Sequence, residues 1–167
     1  MTDTDHPHHE LEDVAFGVLT VSTSRTLADD ESGDALVAAI EADGYDVVQR
    51  DLVTDDREAI RAAVLALIEA GAETVVITGG TGLDPADVTV EAVAGLSDRE
   101  IPGFGELFRM LSYEDIGPRA LLSRTYAGVI DTTPVFCLPG NKQAAMFGTE
   151  ELVLPTIAHI LGHTHGH

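Results

Sequence analysis

The chain has 167 residues, enough for one domain and cramped for two. Hydrophobic residues make up 44 %, which supplies a packed core and excludes wholesale disorder. Asp and Glu total 29 against nine Lys and Arg, a formal net charge of −20 that sets the chain against polynucleotides and anionic membrane surfaces. The longest apolar run, Ala62 to Ile68, is far short of the roughly 20 residues a membrane span needs. The opening MTDTDHPHHELED has neither the basic start nor the apolar stretch of a signal peptide. The single cysteine, Cys137, forms no internal disulfide and no zinc site built on Cys pairs. The expectation is a soluble, cytoplasmic protein. Its acid-rich surface, with Lys142 as the sole lysine, matches a halophilic, salt-saturated interior.

Residues 1–13 are polar and acidic and read as a disordered acidic arm. Ala15 to Val21 is an apolar run fit for a strand buried on both faces. Ser32 to Asp43 follows as a helix, with Leu36, Val37 and Ile40 on one side and Gly44 as the stop. Asp46 to Leu52 is a second strand. Asp55 or Asp56 then caps a helix carrying Ile60, Val64, Leu67 and Ile68. Thr74 to Thr78 is a third strand. Strand and helix alternating in this way imply right-handed crossovers and a parallel sheet. Val88 to Ala94 is a short helix. Gly103 to Ser112 is another, its apolar side at Phe104, Leu107, Phe108 and Leu111 serving either the core or a subunit contact. Tyr126 to Ile130 and Pro134 to Leu138 form a short antiparallel hairpin at the sheet edge. Cys137 within it reads as an inert core thiol. Lys142 to Leu161 is the last helical region, bent or broken at Pro155. The domain therefore spans 14–161, followed by a flexible His-rich tail at 162–167. All seven histidines, at 6, 8, 9, 159, 163, 165 and 167, lie near the ends. This disfavours a His-centred catalytic triad and leaves solvated ends or a metal site as readings.

Ligands of an open parallel sheet bind outside the carboxyl ends of its strands. Four polar or glycine-rich segments fall there. In Thr78, Gly79, Gly80, Thr81 and Gly82, glycines let backbone N–H groups approach an anion closely, although a plain tight turn has the same composition. The string is neither GxxxxGK[ST] nor GxGxxG, so the common nucleotide fingerprints fail. Pro139, Gly140 and Asn141 offer a second anion site at a helix start, or simply an N-cap. Ser22 to Gly33 follows the first strand, with Ser32 and Gly33 beginning a helix. Asp55 follows the second strand and Asp87 the glycine loop. Two carboxylates beside phosphate-binding loops are what magnesium needs, since it is held by one or two carboxylates plus phosphates. Either acid read alone is an ordinary surface residue.

The strings LTVSTSRTLADDESG, LVTDD, VVITGGTGLDPADVTVEA, PGFGELFRMLSYEDIG, SRTYAGV and LPGN occur in one order, and together they resemble the MoaB/Mog family of molybdopterin adenylyltransferases. The resemblance covers roughly 14–161, and GELFRMLSYEDIG is closer to the MoaB branch than to Mog. It implies a three-layer α/β molybdopterin-binding fold with a mostly parallel sheet, assembled as a homotrimer or a hexamer of trimers. It implies molybdopterin and ATP as substrates, magnesium as cofactor and a molybdenum insertase as possible partner. In the implied reaction the terminal phosphate of molybdopterin attacks the α-phosphate of ATP and pyrophosphate leaves. Asp55 and Asp87 fall on the family's catalytic, metal-binding acids. Ser22, Ser32, Gly33, Thr78, Gly79, Gly80, Thr81, Gly82, Glu91, Pro139, Gly140 and Asn141 fall on positions implied to bind substrate. Where relatives often carry Asp after the first strand's serine, this chain has Thr23, and Asn141 replaces the serine of a PGS loop. A non-catalytic pterin-binding or delivery protein of the same family is the alternative.

Overall fold

The computed structural model describes residues 13–166; the arm expected at 1–13 lies, but for Asp13, outside the described residues. Six strands form one sheet in the order β2-β1-β3-β6-β5-β4. These are β1 (Ala15–Val21), β2 (Asp46–Val53), β3 (Thr74–Thr78), β4 (Arg99–Glu100), β5 (Tyr126–Ile130) and β6 (Thr133–Leu138). β1, β2, β3 and β6 run parallel, and β5 pairs antiparallel with β6 on one side and β4 on the other. The hairpin is present as the apolar spacing indicates, its turn using Asp131 at φ 56°. The very edge is the two-residue β4, too short and too exposed to leave a period in the sequence.

The helices are α1 (Glu31–Ala42), α2 (Arg57–Glu69), α3 (Thr89–Leu96), α4 (Pro102–Ile116), α5 (Lys142–Gly148) and α6 (Leu154–Thr164). Side chains alternate across each central strand, as a period of two requires. Phe16, Val18, Val76, Phe136 and Leu138 pack on one face with Leu36 of α1, Phe108 of α4 and Ile157 and Leu161 of α6. Leu19, Val75, Ile77, Val135 and Cys137 pack on the other with Ile60, Val64 and Leu67 of α2 and Val93 of α3. The result is helix, sheet, helix in three layers. Cys137 is fully buried and burial drives its thiol pKa upward, which keeps it protonated and inert.

Two local readings are refined. Pro155 lacks an N–H, and its ring crowds the carbonyl four residues back. The helix neither stops nor breaks there but widens into a π-turn over Thr149–Val153 before α6, which continues to Thr164 rather than ending at Leu161. In α4, Phe104 and Phe108 enter the core as the spacing requires, but Leu107 is half exposed. Leu107 instead lies exposed on α4, as do Met110 and Tyr113.

The parallel strands end level with one another. Val21 lies opposite Val53, Thr20 opposite Thr78, and Thr78 opposite Leu138. Four carboxyl ends therefore make one rim, and the four segments that follow them converge.

Candidate functional site

Above this rim lies a cleft of about 1480 Å³. The glycine loop forms its floor. Gly79 and Gly80 have φ of 106° and 71°, the left-handed region that other residues enter only with strain. A Cβ on Gly79 would collide with the Val21 carbonyl, and one on Gly80 with the Thr89 hydroxyl. The loop's carbonyls are all engaged from behind. Thr89 donates its hydroxyl to Gly79 O at 2.8 Å and its N–H to Gly80 O at 3.1 Å. Arg124 donates its backbone N–H to Thr81 O at 3.2 Å and its Nε to Gly82 O at 2.9 Å. The N–H of Gly79 donates to Leu138 O at 2.9 Å. Among the described residues the N–H groups of Gly80, Thr81 and Gly82 donate to no protein acceptor. Carbonyls engaged from behind and three successive amides left without a protein acceptor are the donor pattern that an anion-binding nest requires.

The Pro139–Asn141 segment packs against this loop. Thr78 donates its hydroxyl to Pro139 O at 2.7 Å, and a Cβ on Gly140 would stand 3.4 Å from Gly79 Cα. Asn141 caps α5, its Oδ1 accepting from the N–H groups of Gln143 and Ala144 at 3.0 and 3.1 Å. A serine at this position caps a helix in the same way, so the replacement preserves the local architecture.

Both candidate carboxylates reach the cleft. The open choice of cap for α2 resolves to Asp56, which accepts from Ala59 N at 2.9 Å and leaves Asp55 available. Asp55 Oδ2 accepts the Thr23 hydroxyl at 2.6 Å, and its Oδ1 is 3.4 Å from where a Gly80 Cβ would stand. Asp87 Oδ2 accepts Asp84 N–H at 3.1 Å and lies 2.7 Å from the equivalent point on Gly82. The two acids thus border the same short loop. Among the described residues no group of three His, Cys, Asp or Glu side chains forms a cation cage. A cation here would have to complete its shell from water and phosphate oxygens, a donor set suited to magnesium.

Of the remaining candidates, Ser22, Thr78, Gly79, Gly80, Thr81, Gly82, Pro139, Gly140 and Asn141 line the cleft. Ser32, Gly33 and Glu91 are not among the residues that line it. They stand behind the walls. Ser32 donates to Gly140 O at 2.9 Å and accepts from Arg25 Nη1 at 3.0 Å, tying α1 to the Pro139–Asn141 segment. Gly33 packs against Asp30, its N–H donating to Asp30 Oδ1 at 3.0 Å. Asp30 is fully buried and also accepts the Thr20 hydroxyl at 2.6 Å and Arg50 Nη2 at 3.1 Å. A buried charge held by that many donors is a stable anchor for the start of α1. Glu91 pairs with Arg124, whose guanidinium hydrogen bond holds the Glu91 carboxyl below the usual glutamate range. Arg124 Nη2 also donates to Asp87 O at 2.9 Å. One arginine thereby clamps the glycine loop, the Asp87 backbone and α3.

Arg124, Thr89 and Arg25 carry no local signal of their role in the sequence, although each lies within a family-like segment. Arg25 is the basic side chain among the lining residues, which also include Asp55, Asp87, Glu114, Asp115 and Glu151. Phe108, Leu111, Ile116 and Phe147 add an apolar wall.

A family profile described as "Probable molybdopterin binding domain" matches residues 17–159. The chain is 39 % identical over 163 residues to molybdenum cofactor biosynthesis protein B of Bacillus subtilis, covering 96 % of each chain. It is 35 % identical to the crystal structure of the tungsten cofactor synthesizing protein MoaB from Pyrococcus furiosus, with a TM-score of 0.84 over 91 % of this chain and 97 % of that one. The Mog protein of Mycobacterium ulcerans matches at 25 % identity and a TM-score of 0.82, over 90 % and 99 % of the two chains. The chain belongs to the molybdopterin-binding domain family, in its MoaB/Mog group, and its role lies in molybdenum cofactor biosynthesis.

Proposed function

We propose that this member of the family is a molybdopterin adenylyltransferase. It transfers AMP from ATP to the terminal phosphate of molybdopterin and releases pyrophosphate. The observation that carries this reading is the placement of three unengaged loop amides beside two carboxylates in a single cleft.

The nucleophile is a phosphate monoester, ionised at neutral pH, so no side-chain base is required. An oxygen of that phosphate bonds to the α-phosphorus of ATP as the bond to the bridging oxygen of pyrophosphate breaks. The obstacle is the meeting of two anions, and positioning with charge neutralisation supplies the rate. The N–H groups of Gly80, Thr81 and Gly82 hold phosphate oxygens, and Arg25 offsets charge at the same rim. Asp55 and Asp87 would hold magnesium, which when bound supplies positive charge for the phosphates and the departing pyrophosphate. Thr23 orients Asp55, and Arg124 fixes the loop and Asp87. The apolar wall around Phe108 and Phe147 takes the flat pterin ring out of water.

The apolar outer surface of α4 is where copies of the chain would meet in a trimer or hexamer. The activated product would pass to an insertase that adds molybdenum or tungsten. Incubation of the chain with molybdopterin and MgATP, followed by analysis for adenylylated pterin and pyrophosphate, tests the assignment. Pterin binding without product indicates a binding or delivery protein.

A further inference from the structure

At the far end of the chain, His159 and His163 stand one turn apart on α6, both exposed. Their Nε2 atoms are 3.2 Å from each other and the rings meet at 75° with centroids 4.8 Å apart. Residues four apart on a helix share one face. Zinc bonds imidazole nitrogen at about 2.0–2.1 Å, so two nitrogens on one tetrahedral ion lie about 3.3–3.4 Å apart. The observed separation is close to that required spacing. From it we propose that His159 and His163 form a two-point site for a borderline divalent transition metal such as zinc, nickel or copper.

Two observations favour an ion over a bare imidazole contact. The pair lies in the last turns of α6, where the helix carbonyls place partial negative charge. The chain as a whole carries −20, which enriches cations around it. Imidazole ligands select zinc, nickel and copper over magnesium or calcium, so this site does not compete for the metal of the cleft. The intervening residues are Ile160, Leu161 and Gly162. No glutamate follows the first histidine as in the H-E-x-x-H peptidases, so the site binds without a hydrolytic base. Water fills the remaining positions, since no third His, Cys, Asp or Glu joins the pair among the described residues.

The test is calorimetric titration of the full chain with zinc chloride, with copper loading followed by electron paramagnetic resonance. Histidines 6, 8 and 9 are other possible ligands, so an H6Q/H8Q/H9Q chain is titrated in parallel. The expected result is one metal per chain held equally well by that triple variant. H159Q and H163Q each weaken it at least tenfold and remove one imidazole nitrogen from the copper spectrum. Both variants alter exposed side chains, and circular dichroism checks that α6 survives. Affinity unchanged in H159Q and H163Q, or lost in the H6Q/H8Q/H9Q chain, overturns the proposal.

Discussion

Thr23 donates its hydroxyl proton to Asp55 Oδ2 at 2.6 Å and so joins the segment after β1 to the segment after β2. The contact fixes one carboxylate of the cleft while leaving its other oxygen beside Gly80. Relatives that place a carboxylate where Thr23 stands would set a second negative charge there. This chain sets a donor.

Removing that donor releases Asp55. T23V is expected to lower kcat for AMP transfer about tenfold, equivalent to about 1.4 kcal/mol, with T23S restoring most of it. Steady-state kinetics of the two variants check this, and equal loss in both would deny the hydroxyl its role.

Asp87 is expected to act on turnover rather than on pterin affinity. D87N keeps the side-chain volume and loses the charge, and should reduce turnover by about a hundredfold. Fluorescence titration with molybdopterin should give a Kd close to that of the unaltered protein. Unchanged turnover would remove Asp87 from the reaction.

Gly79 has φ 106° and its α-carbon faces the Val21 carbonyl. G79A adds a strained backbone and an overpacked contact, together about 3 kcal/mol. The melting temperature should fall by about 10 °C. G162A, at an open position on α6, should leave it unchanged or slightly raised.

The Glu91–Arg124 pair gives a pH signature. Its folded-state carboxyl is lowered below the ordinary glutamate value of 4.5, so its stabilisation is complete above that value and lost as pH falls through the folded-state value. E91Q should therefore be less stable than the unaltered protein at pH 7, and the gap should close on acidification below about pH 4.5. Both partners are about one-third exposed, which keeps the difference small. Urea melts at pH 7 and pH 3.5 measure it.

Net charge predicts a response to salt. With −20 spread over one small domain, raising potassium chloride from 0.1 M to 1 M shortens the screening distance from about 10 Å to about 3 Å. Melting temperature and ATP affinity should both rise. A flat response would remove self-repulsion from the energetics.

The layers were legible because burial on both faces writes near-continuous apolar runs, as in Ala15–Val21 and Thr74–Thr78. The position of the rim followed from parallel topology, and the glycine string marked its floor. The clamp behind that floor was not legible. Arg124 is 42 residues from Gly82 and no local spacing connects them. Ser32 and Gly33 open a helix at the right end of the sheet, yet α1 faces them toward Asp30 and Gly140 O rather than into the cleft. Leu107 shares the helical period of Phe104 and Phe108, and periodicity alone does not separate a core face from an outer apolar surface.

On the proposed reaction the cleft unites two anionic substrates, and a phosphate of one attacks the α-phosphorus of the other. The most direct test is product analysis after mixing the purified chain with molybdopterin and MgATP in high salt. Stoichiometric adenylylated pterin and pyrophosphate, both abolished by D55N/D87N, is the expected result. Tight pterin binding with intact ATP after many hours would contradict it.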